Sequence, residues 1–488
     1  MSFNYRIIFK IVNIVTIIIG VAMLFPMITA AIYDEWKEVV IFATLSILMI
    51  AIPTIILSFL RAVPSHLRIR EGYLIVTLCW MTASILGALP YLLSGQTTSV
   101  IDAFFESVSA FTTTGSTLFD MDLMAKSILM WKGICNWLGG MGILVLAISI
   151  LPALGIDCKV LVEAEVPDPV FNKISNRISD SAKNLYLFYI VFTVVEFVLL
   201  LASPMNTFDA LINTMSSVST SGMPGMSYAI TRYNSFYVEA IIGIFTFLTS
   251  VNFTFYYFII HRNWKTVFSS IELRAFICLI LIGSALVSLN LYFTNTYDLL
   301  RSFRYGIFQV VSMATTSGFS IIGYADWPAF SLTILVVLML IGGCSLSTCG
   351  AIKVVRVLVM IKLVIRGFYK RIHPRSVVAV KIGSKPVSAQ RVSSITIYIM
   401  LYLIITLFGA ILLSLQNLDF ETTLSSSLAM ISNIGVGFGD VANGDFSIYC
   451  RPLRLVLCFL MIAGRLEIFT LISLFMPSFW NPDKYTNN

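Results

Sequence analysis

Four short polar stretches interrupt an otherwise apolar chain, and each closes on a glycine: Ser109 to Gly115, Ser216 to Gly222, Met313 to Gly318 and Ala429 to Gly435. Counting back from the glycine, the third residue is Thr112, Ser219, Thr315 or Ser432, and the second is Thr113, Thr220, Thr316 or Asn433. The glycines recur at intervals of roughly 100 residues, far longer than the period of a solenoid repeat. No residue of these stretches is charged, so the chemistry they offer is coordination by neutral oxygen. Glycine takes left-handed dihedrals that turn successive carbonyls to one side, which a residue with a Cβ does only at a cost. Four such bends around one axis would form a ring of peptide oxygens able to replace the hydration shell of an alkali cation. The expected ligands are the carbonyls of Thr112, Thr113, Ser219, Thr220, Thr315, Thr316, Asn433 and Ile434, with Gly115, Gly222, Gly318 and Gly435 permitting the bends.

The elements that hold these bends must lie in a bilayer. Hydrophobic residues make up 58% of the 488, charged residues 12%, and mean hydropathy is +0.90, well outside the range of soluble globular chains. At membrane depth, irregular backbone is tolerated only where protein or a water-filled cavity satisfies it. The net charge of +7 reads as membrane topology and implies no nucleic-acid partner. All but eight of the 32 Lys and Arg fall on one predicted side or in spans opening to it, the exceptions being Lys37, Lys126, Lys132, Arg232, Arg301, Arg304, Arg451 and Arg454. The positive-inside rule makes the rich side cytoplasmic.

The pattern predicts an all-α membrane protein in five parts: a leading helix pair over 1–70, then pore repeats over 71–182, 183–270, 271–391 and 392–488. The leading spans are 7–31, read as retained and not as a cleaved signal, and 39–60, joined by an acidic hairpin at Asp34 to Glu38. Each repeat reads as span, half-helix, polar bend and return span. The half-helices are placed at 101–111, 208–218, 301–313 and 420–431, and the return spans at 128–151, 236–260, 330–365 and 452–476. Segments of this half-helix length are too short to cross and suit re-entrant structure. Their C-terminal ends would direct partial negative charge at a cation on the axis.

A break is expected only in the third return span, where Gly342, Gly343, Cys344, Ser345, Ser347, Thr348 and Gly350 put glycine and small hydroxyls in mid-helix. Below the bends such a segment would obstruct the path and act as a gate. Lys353 follows it, and Arg465 sits in the last span. Charges at this depth need partners or water, so Lys353 is expected to repel cations at the cavity floor and Arg465 to bind the carbonyls or hydroxyls of the loop. Glu196 and Glu467 are the carboxylates expected to be buried. Two connections, Asp157 to Lys183 and the basic Arg366 to Arg391, would meet lipid headgroups or a partner. Eight cysteines and three histidines show no metal-ligand spacing, and no polar cluster supports an enzyme. Gly435-Val-Gly437-Phe-Gly439 lacks the βαβ context of a dinucleotide site.

Beyond the bends, the chain contains Trp137-Leu-Gly-Gly-Met-Gly142, Ile150 to Gly155, Gly342 to Lys353 and Gly464-Arg-Leu-Glu-Ile-Phe469. In this order the motifs resemble the TrkH-type membrane subunit of the Trk/Ktr/HKT superfamily of potassium transporters over nearly the whole length. The leading pair is similar to the TrkH and not the KtrB arrangement. The resemblance implies potassium uptake through a selective, gated pore in the cell inner membrane, with both termini cytoplasmic. It further implies a homodimer with a pore in each protomer, and control by a cytosolic TrkA-like ring that binds the nucleotide itself, potassium being the transported ion and no cofactor resident in this chain. The family commonly has glycine where this chain has Leu346, Cys349 and Ala351. A proton- or sodium-coupled potassium symporter on the same fold is the alternative.

Overall fold

The computed structural model describes residues 3–60, 68–142, 178–223, 230, 232–376, 378–383 and 385–480. The expected connection beginning at Asp157 and the Ile150 to Gly155 motif lie outside the described residues, apart from the end of the former, which is helical from Ile178. The protein is a helical membrane protein. Six described helices are long and apolar enough to cross a bilayer, or seven if one bent pair counts as a span.

Two leading helices, Tyr5–Ala22 continued by Leu24–Ile32 and then Trp36–Phe59, pack on the first repeat. Four entry helices follow at intervals: Ile69–Leu93, Ile178–Leu201, Ile271–Phe293 and Ala389–Leu413. Each leads into a short pore helix, namely Val100–Phe111, Thr207–Val218, Leu299–Ala314 and Phe420–Ile431. These starts are written in the sequence. The preceding residues are Ser99, Asn206, Asp298 and Asp419, and in three of the four the side-chain oxygen accepts from the backbone N–H three residues on. Such a cap is worth about 1 kcal/mol.

The return segments depart from expectation. None runs as the single span predicted over 128–151, 236–260 or 452–476; each stops after about four turns. The first helix is Lys126–Gly140, the second Phe236–Ser250, the third Ala329–Ile341 and the fourth Arg451–Arg465. After Ser250 the chain turns by 97° into Thr254–Ile260. That second helix is started by Asn252, whose Oδ1 accepts from the Thr254 N–H at 2.9 Å. After Arg465, Glu467 takes a left-handed φ of 54° before a short helix at Phe469–Ser473. Among the described residues the second, third and fourth return segments are each interrupted after their first helix. Apolar residues on either side hid the bend after Ser250, whereas at the fourth bend Arg465 and Glu467 stand at the break itself.

The third return segment resumes as Val354–Ile372, an amphipathic helix with an exposed basic end. It leads to a small antiparallel hairpin pairing Lys381–Ile382 with Lys385–Pro386.

Candidate functional site

The four pore helices end alike. The residues that follow the last helical turn are Thr112, Ser219, Thr315 and Ser432, and the next residue in each is left-handed: Thr113 at φ 55°, Thr220 at 52°, Thr316 at 55° and Asn433 at 55°. The N–H of the left-handed residue bonds the carbonyl three back, at 3.0 Å to Ala110, 3.0 Å to Ser217, 3.2 Å to Met313 and 3.2 Å to Met430. The following N–H returns five residues, from Thr114 to Ser109, Ser221 to Ser216, Ser317 to Ser312 and Ile434 to Ala429. This is the pair of bonds of a Schellman cap. Glycine would be the unstrained choice there. A β-branched threonine in this region costs about 1–3 kcal/mol, which the surrounding packing must supply.

The glycine two residues further on is also left-handed in every loop: Gly115 at φ 86°, Gly222 at 61°, Gly318 at 68° and Gly435 at 77°. Each faces the main chain of the next loop. A Cβ on Gly115 would overlap the Ser221 carbonyl oxygen, on Gly222 that of Ser317, on Gly318 that of Ile434, and on Gly435 that of Thr114. The circuit closes in chain order, so the four bends surround one axis. All four glycine-containing loops are buried in protein, with Thr112, Ser219, Thr315 and Ser432 fully inaccessible. The residue before each glycine therefore presents its carbonyl at the loop-to-loop contact. Of these four, Ile434 is among the ligands expected from the sequence, and Thr114, Ser221 and Ser317 are not.

Directly against this ring lies the segment between the third return helix and its continuation. Thr220 donates to the Thr348 hydroxyl at 3.1 Å, the Gly350 N–H donates to Thr316 Oγ1 at 3.0 Å, and Cys349 Sγ lies 3.0 Å from the Thr315 carbonyl. A Cβ on Gly350 would overlap the Ser432 carbonyl. The segment thus touches the second, third and fourth loops. It is also tied to the bend of the second return segment, with Cys344 N–H on the Ser250 carbonyl at 3.0 Å and Phe253 N–H on the Leu346 carbonyl at 3.1 Å.

The charges expected nearby are all here, with partners. Arg465 donates to the Thr348 carbonyl at 2.8 Å and to the carbonyls of Gly139 and Gly140 at 2.5 and 2.8 Å. Glu467 binds Arg356 at 2.5 Å and has the Lys353 ammonium at 3.9 Å, while the Arg356 guanidinium covers the Tyr398 ring. Trp80, Leu346, Cys349, Lys353, Arg465 and Glu467 are among the residues around a cavity of about 90 Å³ on this side of the ring. Leu346 at φ 52° and Ala351 at φ 60° hold left-handed backbone without glycine. Where the resemblance leads one to expect glycine, the loop is therefore bulkier and strained.

A family model described as TrkH, cation transport protein, matches residues 37–482. The chain belongs to the TrkH family. It is 33% identical over 482 residues to the Trk system potassium uptake protein TrkH of Salmonella typhimurium, covering 98% of this chain and 99% of that protein. It is 32% identical over 465 residues to the Trk system potassium uptake protein TrkG of Escherichia coli, covering 94% and 96%. The crystal structure of the potassium transporter TrkH from Vibrio parahaemolyticus superposes with a TM-score of 0.87 at 31% identity, over 98% of this chain and 100% of that one. These relatives are named as transport proteins and not as enzymes.

Within this TrkH-family chain, charged groups are buried at more positions than the sequence names. Lys132, assigned to the outer side, is fully buried and bonded to Glu106 at 2.7 Å. Glu196 and Glu467 are not the only buried carboxylates, since Glu71, Asp102, Glu106, Asp209, Glu239 and Glu272 are also buried. Glu196 itself accepts from the Ser217 hydroxyl of the second pore helix. Glu272 is the residue whose role went unseen: it accepts from the Ser345 N–H at 2.6 Å and hydroxyl at 2.8 Å, fixing one end of the loop under the ring. Its sequence signal was slight, an acid in the first turn of a span.

Proposed function

We propose that this chain takes up potassium across the cell inner membrane, passing the ion along the axis of the four glycine loops. What supports the reading is the closed circuit in which Gly115, Gly222, Gly318 and Gly435 each abut a carbonyl of the next loop. Paired left-handed residues two apart turn main-chain oxygens to one side, and the buried, uncharged lining leaves those oxygens as the ligands that replace water. Thr112, Thr113, Ser219, Thr220, Thr315, Thr316, Asn433 and Ile434 supply them, and four helix C-termini add partial negative charge.

The segment from Gly342 to Lys353 is the gate, held shut by Arg465 and by its bonds to Thr220 and Thr316. Its continuation, Val354–Ile372, carries the basic connection away from the membrane core, toward the side where the positive-inside rule puts the cytoplasm and both termini. That helix and the hairpin after it are the docking surface for a cytosolic nucleotide-binding ring, in an assembly with a second copy of this chain. Glu467 is already engaged by Arg356 and Lys353, which argues against its serving as a proton carrier in a symporter.

The test is cation flux into liposomes holding the purified chain, with and without the nucleotide-loaded partner. Potassium-driven flux that persists when the pH and sodium gradients are collapsed is the expected result. Flux that vanishes with either gradient would favour the coupled transporter.

A further inference from the structure

The pore helices carry a polar, buried residue nine positions before each filter glycine: Glu106, Asn213, Gln309 and Ser426. Only the first is a carboxyl group, and it faces the buried amine of Lys132. Lys132, from the first return helix, is fully inaccessible, as is Glu106, and the two are bonded at 2.7 Å. The pair does more than neutralise itself. Glu106 Oε1 accepts from the Leu118 N–H at 2.6 Å and from the Thr117 hydroxyl at 2.8 Å, and the Lys132 ammonium lies 3.4 Å from the Ser116 carbonyl. Residues 116 to 118 are the three that follow Gly115. The same stretch is stitched to the fourth repeat, with Thr117 N–H on the Gly444 carbonyl at 3.0 Å and Phe446 N–H on the Thr117 carbonyl at 2.9 Å.

We propose that the Lys132–Glu106 pair is a positioning element for ion selectivity, clamping the first filter loop from behind and fixing its register against the fourth. The inference rests on the filter reading above and names residues that contact no ion. The physical ground is that a buried pair carries a desolvation cost that an apolar pair does not, set against the geometry its bonds enforce. Here that is a rigid, charge-assisted hold on three consecutive backbone positions. The other loops have only neutral counterparts at this position: Ser426 accepts from the Tyr449 hydroxyl at 2.8 Å and Asn213 donates to its own helix at 2.8 Å. The first loop is thereby the stiff quadrant of the ring. Discrimination between potassium and sodium depends on holding oxygens at a set separation, and a loosened loop can close on the smaller ion.

The experiment compares wild type with K132M, E106Q, the double variant E106Q/K132M and K132R in liposomes, measuring potassium and sodium flux separately, with G318S as a control on the filter itself. The double variant leaves no unpaired buried charge, so it serves if a single variant does not insert. The expected result is a sodium-to-potassium flux ratio raised about tenfold or more in K132M or the double variant, with potassium flux retained and K132R close to wild type. An unchanged ratio in K132M or the double variant, where it conducts potassium, overturns the proposal, as does equal loss of both fluxes in them. Failure of both K132M and the double variant to insert while K132R is normal also overturns it, the pair then being a folding element only. If G318S too leaves the ratio unchanged, the filter reading has failed; if G318S shifts it and K132M does not, only the clamp has.

Discussion

Arg465 in the last repeat and Thr348 in the third are joined by a charged hydrogen bond of 2.8 Å, guanidinium to main-chain carbonyl. The same guanidinium holds Gly139 and Gly140 at the end of the first return helix. One side chain thus ties the loop under the ring to two neighbouring repeats.

Removing that tie should open the path. Arg465→Ala is expected to raise basal potassium flux about tenfold, the equivalent of one charged hydrogen bond of about 1.5 kcal/mol. Arg465→Lys should recover little, because an ammonium cannot reproduce the fork. Rubidium uptake by liposomes checks it; unchanged basal flux in Arg465→Ala would remove Arg465 from the gate.

Gly222→Ser places a Cβ into the Ser317 carbonyl at a left-handed position, φ 61°. The two loops must separate, and the sodium-to-potassium permeability ratio should rise about tenfold. Bi-ionic potential measurements would read this directly, and a wild-type ratio would count against the ring as the selective element.

Lys353→Met deletes a positive charge from the cavity wall. A repulsion on the order of 1 kcal/mol in a partly hydrated space corresponds to a leak about fivefold larger. Equal or smaller flux would leave Lys353 as a partner of Glu467 and nothing more.

Glu272→Ala frees the Ser345 N–H and hydroxyl, two bonds to a carboxylate at 2.6 and 2.8 Å. A loss of about 2 kcal/mol in local stability is expected, seen as faster hydrogen exchange confined to the third-repeat loop. Exchange rates that do not move would mean the loop is held elsewhere.

Asp419 caps the fourth pore helix at its exposed end. The Thr422 hydroxyl, then the Thr422 N–H, hold its carboxyl below the usual value. The folded form therefore gains stability above the unfolded carboxyl's range and loses it as pH falls through the lowered one. Asp419→Ala should cost about 1 kcal/mol at pH 7, and the gap to wild type should close below about pH 4. Thermal unfolding at both pH values tests this; a gap independent of pH would exclude the carboxylate.

The pore helices were legible nearly to the residue, because Ser99, Asn206, Asp298 and Asp419 announce each start and the left-handed bend ends each one. The glycines stood out for the same reason. What stayed hidden was set by tertiary packing. At the bend after Ser250 its freed carbonyl accepts from Cys344, nearly a hundred residues away in the chain, and hydropathy carries no trace of that bond. The burial of Lys132 has no local signal, because its partner, Glu106, lies in another helix. Left-handed Leu346 and Ala351 were equally unreadable, since nothing local to them favours that backbone.

Because the circuit of Gly115, Gly222, Gly318 and Gly435 is built from one polypeptide, its quadrants are free to diverge. In a pore assembled from identical subunits a substitution strikes every position at once. Here mutation edits a single quarter and leaves three intact, so under the proposed function preference among cations can be adjusted in small increments, by descent or by an engineer, without wagering the entire conduit on each change.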